Sequence, residues 1–180
     1  MALHRYRETV QIEAPLDDVW RFFSDPRNLS RITPPWLRLE LTCAPPAEMH
    51  PGLLLTYRVR PFAGVALNWV TEITHIVDRR LFVDEQRAGP YAFWHHQHHF
   101  RPLPGGVEME DIVHYRLPFG PLGDIVDRLS VADRVRGIFA FRGQVMDGLF
   151  PVRTPGQVHG DRVSRTNSNL GRLEKDRETP

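Results

Sequence analysis

Residues 91–150, YAFWHHQHHFRPLPGGVEMEDIVHYRLPFGPLGDIVDRLSVADRVRGIFAFRGQVMDGLF, decide the fold, because the hydrophobic period changes inside them. From Tyr91 to Arg101, Trp94, His96, His98 and Phe100 fall on one face; from Val107 to Arg116, Met109, Asp111, Val113 and Tyr115 do the same. Two alternating runs around Pro102-Leu103-Pro104-Gly105-Gly106 predict a β-hairpin. After Pro118-Phe119-Gly120-Pro121 the period lengthens to about 3.6. Leu122, Ile125, Val126, Leu129, Ala132, Val135, Ile138, Phe139, Val145, Met146 and Leu149 make one stripe, and Asp124, Asp127, Arg128, Asp133, Arg134 and Arg142 fall mostly opposite it. The prediction is one long amphipathic helix, which if unbroken from 122 to 150 would span roughly 40 Å.

Upstream, alternation predicts strands at Tyr6–Ile12, Leu37–Cys43, Leu53–Arg60, Leu67–His75 and Leu81–Arg87. Between the first two, Ala14-Pro15 with Asp17 and Asp18 opens a short helix that Asp25-Pro26 closes, and a second covers Asn28–Ile32. A sheet with one apolar face must cover it, and the terminal helix is the large amphipathic element available. The expected class is α+β, a curved antiparallel sheet of about six to seven strands wrapped around a long C-terminal helix. Residues 1–150 form the expected domain. From Pro151 to Pro180 the periodicity stops and a flexible tail is expected.

Composition bounds the function. The chain has 180 residues, 41% hydrophobic, with 23 basic against 22 acidic side chains and a net charge of +1. That balance supplies no field for a polyphosphate, so no nucleic-acid partner is expected. One cysteine, Cys43, excludes an internal disulfide and multi-cysteine zinc sites, and reads as a small core residue. Charged and aromatic residues from His4 to Arg7 stand where a signal sequence would be apolar, and no run approaches the roughly 18 apolar residues of a membrane span. A cytoplasmic protein that does not span a membrane is expected, with an exposed edge strand that could support a homodimer. No nucleotide-binding, nucleophile-elbow or metalloprotease motif occurs.

Several strings, in this order and spacing, resemble the START-like helix-grip superfamily, in particular its polyketide cyclase/dehydrase-like (SRPBCC) bacterial branch. They are Ile12-Glu13-Ala14-Pro15 before Val19-Trp20-Arg21-Phe22-Phe23; Asp25-Pro26 before Asn28-Leu29; Gly89-Pro90 before Trp94 to Phe100; and Leu117 to Gly123 before the helix. The resemblance covers about residues 4 to 150. It implies a cavity for an apolar ligand between sheet and helix, and it suggests that Phe82, Asp84 and Gln86 look inward.

Polar residues sharing a face with apolar ones are the candidate site. A turn about Pro104 and Gly105 sets His98 opposite Asp111, His96 opposite Val113 and Trp94 opposite Tyr115, with facing Cβ atoms about 4.5 to 5.5 Å apart. A register shifted by one residue on each arm faces His98 to Val113 and His96 to Tyr115 instead, with the same faces meeting, so the pairings stay open. Leaving such groups unpaired would cost roughly 2 to 7 kcal/mol each, so they must pair with one another, with water or with a ligand. Three readings stay open: a satisfied structural network, hydrogen bonds that orient a lipid, isoprenoid, quinone or polyketide-like ligand, and acid–base catalysis by a cofactor-independent cyclase, aromatase or dehydratase. In the last, His96, His98, Asp111 and Tyr115 would be catalytic. The expected ligand wall is Tyr57, Trp69, Thr71, Asp84, Gln86, Trp94, His96, His98, Phe100, Asp111, Val113, Tyr115, Ile125, Leu129, Ile138 and Phe139. Strand parity puts His95 and His99 outside, splitting the printed histidine cluster into two pairs. No cofactor is expected and no metal, although two histidines with an aspartate would make three ligands. A non-catalytic protein-interaction module, with a filled interior, is the remaining alternative.

Overall fold

In the computed structural model, residues 2–62, 65–118, 120 and 130–150 are described. Seven strands, β1 (His4–Ile12), β2 (Glu40–Leu41), β3 (Leu53–Phe62), β4 (Val65–Val77), β5 (Leu81–Ala88), β6 (Phe93–Leu103) and β7 (Gly106–Arg116), form one antiparallel sheet in the order β1-β7-β6-β5-β4-β3-β2. The β6–β7 hairpin turns at Pro104-Gly105, and Gly105 takes a φ of +85°, the left-handed backbone that a type II turn puts after proline. That turn sets the register: His98 faces Asp111, His96 faces Val113 and Trp94 faces Tyr115, the first of the two registers that the hairpin arithmetic allows. Gly106 is needed for another reason, since a Cβ there would stand 2.3 Å from the Ile12 carbonyl oxygen of β1.

Register shifts along β3 and β4, between Val59 and Phe62, Val70 and Thr71, and Ile73 and His75, bend those strands. Between β1 and β2 the chain forms α1 (Leu16–Phe23) and two 3-10 segments, Pro26–Ile32 and Pro35–Leu37. The second replaces the start of the strand expected at Leu37–Cys43. Pro34 and Pro35 lack the N–H a ladder needs, Arg38 turns left-handed at a φ of 44°, and only Glu40–Leu41 pairs with β3. Val19 of α1 is fully buried, and Trp20 sets its ring edge-on to Phe82 and Phe100 at 6.0 and 5.3 Å.

The terminal helix is α2 (Ala132–Leu149); Ile125 and Leu129, with the rest of the expected helix before residue 130, lie outside the described residues, as do residues 151–180. Its buried side chains are Ala132, Val135, Phe139, Arg142 and Met146, spaced three and four apart as one helical stripe. Phe139 stacks on Tyr6 at 4.7 Å and packs with Val113, Tyr115, Val131 and Val135; Met146 joins Ile12, Val19, Val107 and Met109. Arg142 corrects the expectation that it faces solvent: three residues beyond Phe139 it sits on the stripe, and position outranks charge. No helix among the described residues is long and apolar enough to cross a membrane.

Candidate functional site

Between the sheet, α2 and the 3-10 segments lies a cavity of about 210 Å³. Its walls are mostly apolar. Leu55, Tyr57 and Val59 come from β3, Trp69, Thr71 and Ile73 from β4, Phe82 from β5, Trp94 from β6, and Ile138 and Phe139 from α2, with Trp36 and Leu37 from the second 3-10 segment. Trp69, Tyr91 and Trp94 form a three-ring corner, with centroids 5.3 Å apart for Trp69 and Trp94, 5.5 Å for Trp69 and Tyr91, and 4.8 Å for Tyr91 and Trp94.

One part of the wall is charged. Asp84, His96, His98 and Arg142 reach the cavity, and Asp111 stands behind them at 4% exposure. His96 Nε2 lies 2.9 Å from Asp111 Oδ1 and its Nδ1 lies 3.3 Å from Asp84 Oδ2. His98 Nε2 lies 3.0 Å from the same Asp84 Oδ2; its Nδ1 comes within 2.8 Å of Asp111 Oδ1 but out of line for a hydrogen bond. The two imidazole centroids are 3.8 Å apart, and Phe82 stacks under His98 at 4.0 Å. Arg142 donates from Nη1 to Asp111 Oδ2 at 3.1 Å and spreads its guanidinium over the Phe139 ring, while its buried Nε finds no protein acceptor.

Burial opposes every charge in this cluster, and the partners outweigh it. Burial raises Asp111, but Arg142 and the two imidazoles hold its carboxyl well below the usual range. Burial raises Asp84 too, and His96 and His98 bring it below its ordinary value. For His96 burial favours the neutral ring, yet Asp84 and Asp111 together raise its pKa. The Tyr57 hydroxyl is pushed up by burial, with Asp84 and Cys43 adding to it, so it stays a neutral donor.

Of the residues expected at the ligand wall, Tyr57, Trp69, Thr71, Asp84, Trp94, His96, His98, Ile138 and Phe139 line the cavity. Four others face inward and stop short of it. Phe100 is covered by Trp20 and Phe23 of α1, Val113 by Val131, Val135 and Phe139, and Tyr115 is fully buried and stacked on His4 at 5.3 Å. Asp111 stands behind the wall, against the two histidines and Arg142. Gln86 is tied to the loop before β6: its amide donates to the Tyr91 carbonyl at 2.7 Å and its Oε1 accepts from the Tyr91 N–H at 3.3 Å. Sequence reasoning missed Tyr91, Trp36 and Arg142. Tyr91 precedes the first paired residue of β6, so strand parity does not govern it. Arg142 carried a usable signal, its helical spacing from Phe139.

The comparisons agree with this architecture. Residues 12–140 match the family described as polyketide cyclase / dehydrase and lipid transport, and the chain belongs to that family. It has the START-like helix-grip fold, and membership of this family supports binding of a hydrophobic ligand in general. Among solved structures, a protein from Arthrobacter aurescens is 15% identical, with a TM-score of 0.62 over 87% of this chain and 93% of that one. Protein Ms6760 from Mycobacterium smegmatis is 17% identical, with a TM-score of 0.58 over 81% and 92%. The major latex-like protein 151 of Panax ginseng is 11% identical, with a TM-score of 0.59 over 83% and 98%. At such identities these likenesses concern the fold alone. No curated protein sequence matches the chain.

Proposed function

We propose that the protein binds a small amphipathic molecule, with its apolar body against Trp69, Tyr91, Trp94 and Ile138 and its polar end against His96, His98, Asp84 and Arg142. The observation that carries this reading is the asymmetry of the cavity: aromatic and aliphatic walls around a buried charged cluster of Asp84, His96, His98 and Arg142. Pockets of this make-up hold ligands by apolar burial and orient them with a few polar groups. Size narrows the class. An apolar cavity of roughly 150 Å³ accommodates benzene, so about 210 Å³ suits one or two fused rings or a short isoprenoid better than a diacyl lipid or a polycyclic polyketide. That is smaller than the several hundred Å³ a larger ligand would need.

Three of the four tryptophans, Trp36, Trp69 and Trp94, line the cavity, so binding should quench their fluorescence. Titrating one- and two-ring phenols, quinones and short prenyl alcohols should give saturable quenching that His98→Ala weakens. Quenching by none of them, with native mass spectrometry showing no co-purified small molecule, would refute the reading.

Acid–base turnover is the second reading, favoured by His96 standing at the cavity wall between two carboxylates. His96 or His98 would move the proton and Asp111 would be a positioning residue. Tyr115 would have no part, because it is enclosed away from the cavity. Retained affinity with turnover lost in Asp111→Asn would favour this second reading; weakened affinity with no turnover in either form would favour a carrier.

A further inference from the structure

The nitrogens of the buried histidine pair fall into a front and a rear set. His96 Nε2 and His98 Nδ1, at the rear, both face one oxygen, Asp111 Oδ1, at 2.9 and 2.8 Å. His96 Nδ1 and His98 Nε2, at the front, both face another, Asp84 Oδ2, at 3.3 and 3.0 Å. A neutral imidazole carries one N–H, and an ionised carboxylate only accepts. If the protons sit on the rear nitrogens, two imidazole lone pairs and a carboxylate oxygen converge at the front with nothing between them. If they sit at the front, the rear nitrogens oppose Asp111 in the same way. Imidazolium protons, which the raised pKa of His96 favours, relieve the conflict in metal-free protein; a cation at the front relieves it with both rings neutral.

We infer that Asp84, His96 and His98 form a binding site for a divalent transition-metal ion of the zinc class, with a further coordination position open to the cavity. The ligand atoms all lie within 4.8 Å of one another. Two ligands each roughly 2.1 Å from a tetrahedral ion stand about 3.4 Å apart, so the front distances need only small adjustment. Two imidazoles with one carboxylate is a donor set suited to zinc and its neighbours rather than to calcium or magnesium. Asp111 accepts from His96 Nε2 at 2.9 Å, the place of the outer carboxylate that fixes the ring and tautomer of a metal-bound histidine, and His98 Nδ1, 2.8 Å from the same oxygen, needs only a small ring rotation to join it. Arg142 on its other oxygen keeps it an anion and away from the ion. The histidine spacing alone points to Asp111 as the third ligand, but the β5–β6 register sets Asp84 opposite His96 and brings it in instead. This site stands whether or not the proposed ligand reading holds; only the use of its open position, to take a carbonyl, phenolate or carboxylate oxygen, rests on that reading.

Zinc and cobalt titrations of the chelator-treated full chain, without any organic ligand, test the site. One equivalent should bind, cobalt should give the intense visible bands of low-coordinate geometry, and protons should be released as the imidazoles lose them. Asp84→Asn and His98→Ala should lose at least 100-fold in affinity and Asp111→Asn about 10- to 100-fold, while the His95→Ala/His99→Ala double variant should bind as before. Should the inner variants fail to fold, imidazole 15N shifts of the unmodified protein decide: zinc must move His96 Nδ1 and His98 Nε2 and leave protons on the rear nitrogens. No stoichiometric binding to folded protein, binding unchanged in Asp84→Asn, or shifts confined to His95 and His99 would overturn the assignment.

Discussion

Strand β6 carries the same residue type on both faces, and the two faces have little in common. Inside, His96 and His98 are almost fully buried, each within reach of both Asp84 and Asp111, with Arg142 closing the cluster from the helix. Outside, His95, Gln97 and His99 form a partly exposed line in which His95 meets Glu85 at 2.9 Å, Gln97 meets His95 at 3.0 Å, and His99 meets Gln97 at 2.9 Å. Both networks are hydrogen-bonded, and adjacent positions differ only in parity. Water screens the outer groups, so each contributes little; the inner charges have only one another and whatever enters the cavity. Similar distances on the two faces therefore carry different energies.

The largest break in that comparison should come from removing one inner charge. Asp111→Ala strands Arg142 and both imidazoles and should cost about 3 to 5 kcal/mol in denaturant unfolding, as for other buried ion clusters; a loss under about 1 kcal/mol would mean that water reaches these charges freely. An apolar double replacement, Asp111→Leu with Arg142→Met, should recover much of that loss, because no charge is left unpaired.

Next in size is pH. In metal-free protein the His96 pKa is raised by Asp84 and Asp111 against burial. Its stabilisation is therefore complete below its ordinary value of about 6.5 and disappears as pH climbs through the folded value, each pH step of one between the two being worth about 1.4 kcal/mol. Asp84 and Asp111 have the opposite sign. Their carboxyls are held low, so their contribution is present above about 3.9 and is lost as pH falls toward their folded values. Unfolding free energy followed from acid to alkaline pH should rise and then decline, and Asp111→Asn should flatten both limbs.

Smaller still is the effect on ligand affinity of trimming one wall: Trp69→Ala should weaken a two-ring ligand by about tenfold, near 1.4 kcal/mol, while Phe93→Ala, on the exposed face, should leave affinity unchanged. The outer line should matter least. His95→Ala or Glu85→Gln should shift stability by no more than about 0.5 kcal/mol.

The fold was legible because its two periods are strong and its punctuation sharp. The change from alternation to helical spacing near Pro118 marks sheet and helix, while two registers about Pro104-Gly105 keep the apolar faces together, so residue numbers bring the His/His/Asp/Tyr face together and the structure selects the pairing of His98 with Asp111. Strand ends were less legible: Leu37 and Leu39 alternate properly, but Pro34, Pro35 and the left-handed Arg38 take the chain out of the ladder. The site was legible only as a face. Parity separates inward from outward, and cannot say which inward residues a second layer covers. Phe100 lies under Trp20 and Tyr115 under His4, through contacts between distant segments that no local pattern records. Arg142 shows the converse: sorting helix residues by charge placed it outside, whereas its spacing from Phe139 already placed it on the buried stripe.

The most direct test is a matched pair of ligands, naphthalene and a naphthol, followed by chemical-shift mapping with side-chain probes on Trp69, Trp94, His96 and His98. Both should perturb the tryptophans; the naphthol alone should move the His96 and His98 rings and bind more tightly, and His98→Ala should remove that advantage. Perturbations confined to the outer face of β6, or equal affinity for the two compounds in the unmodified protein, would contradict a cavity with one polar end.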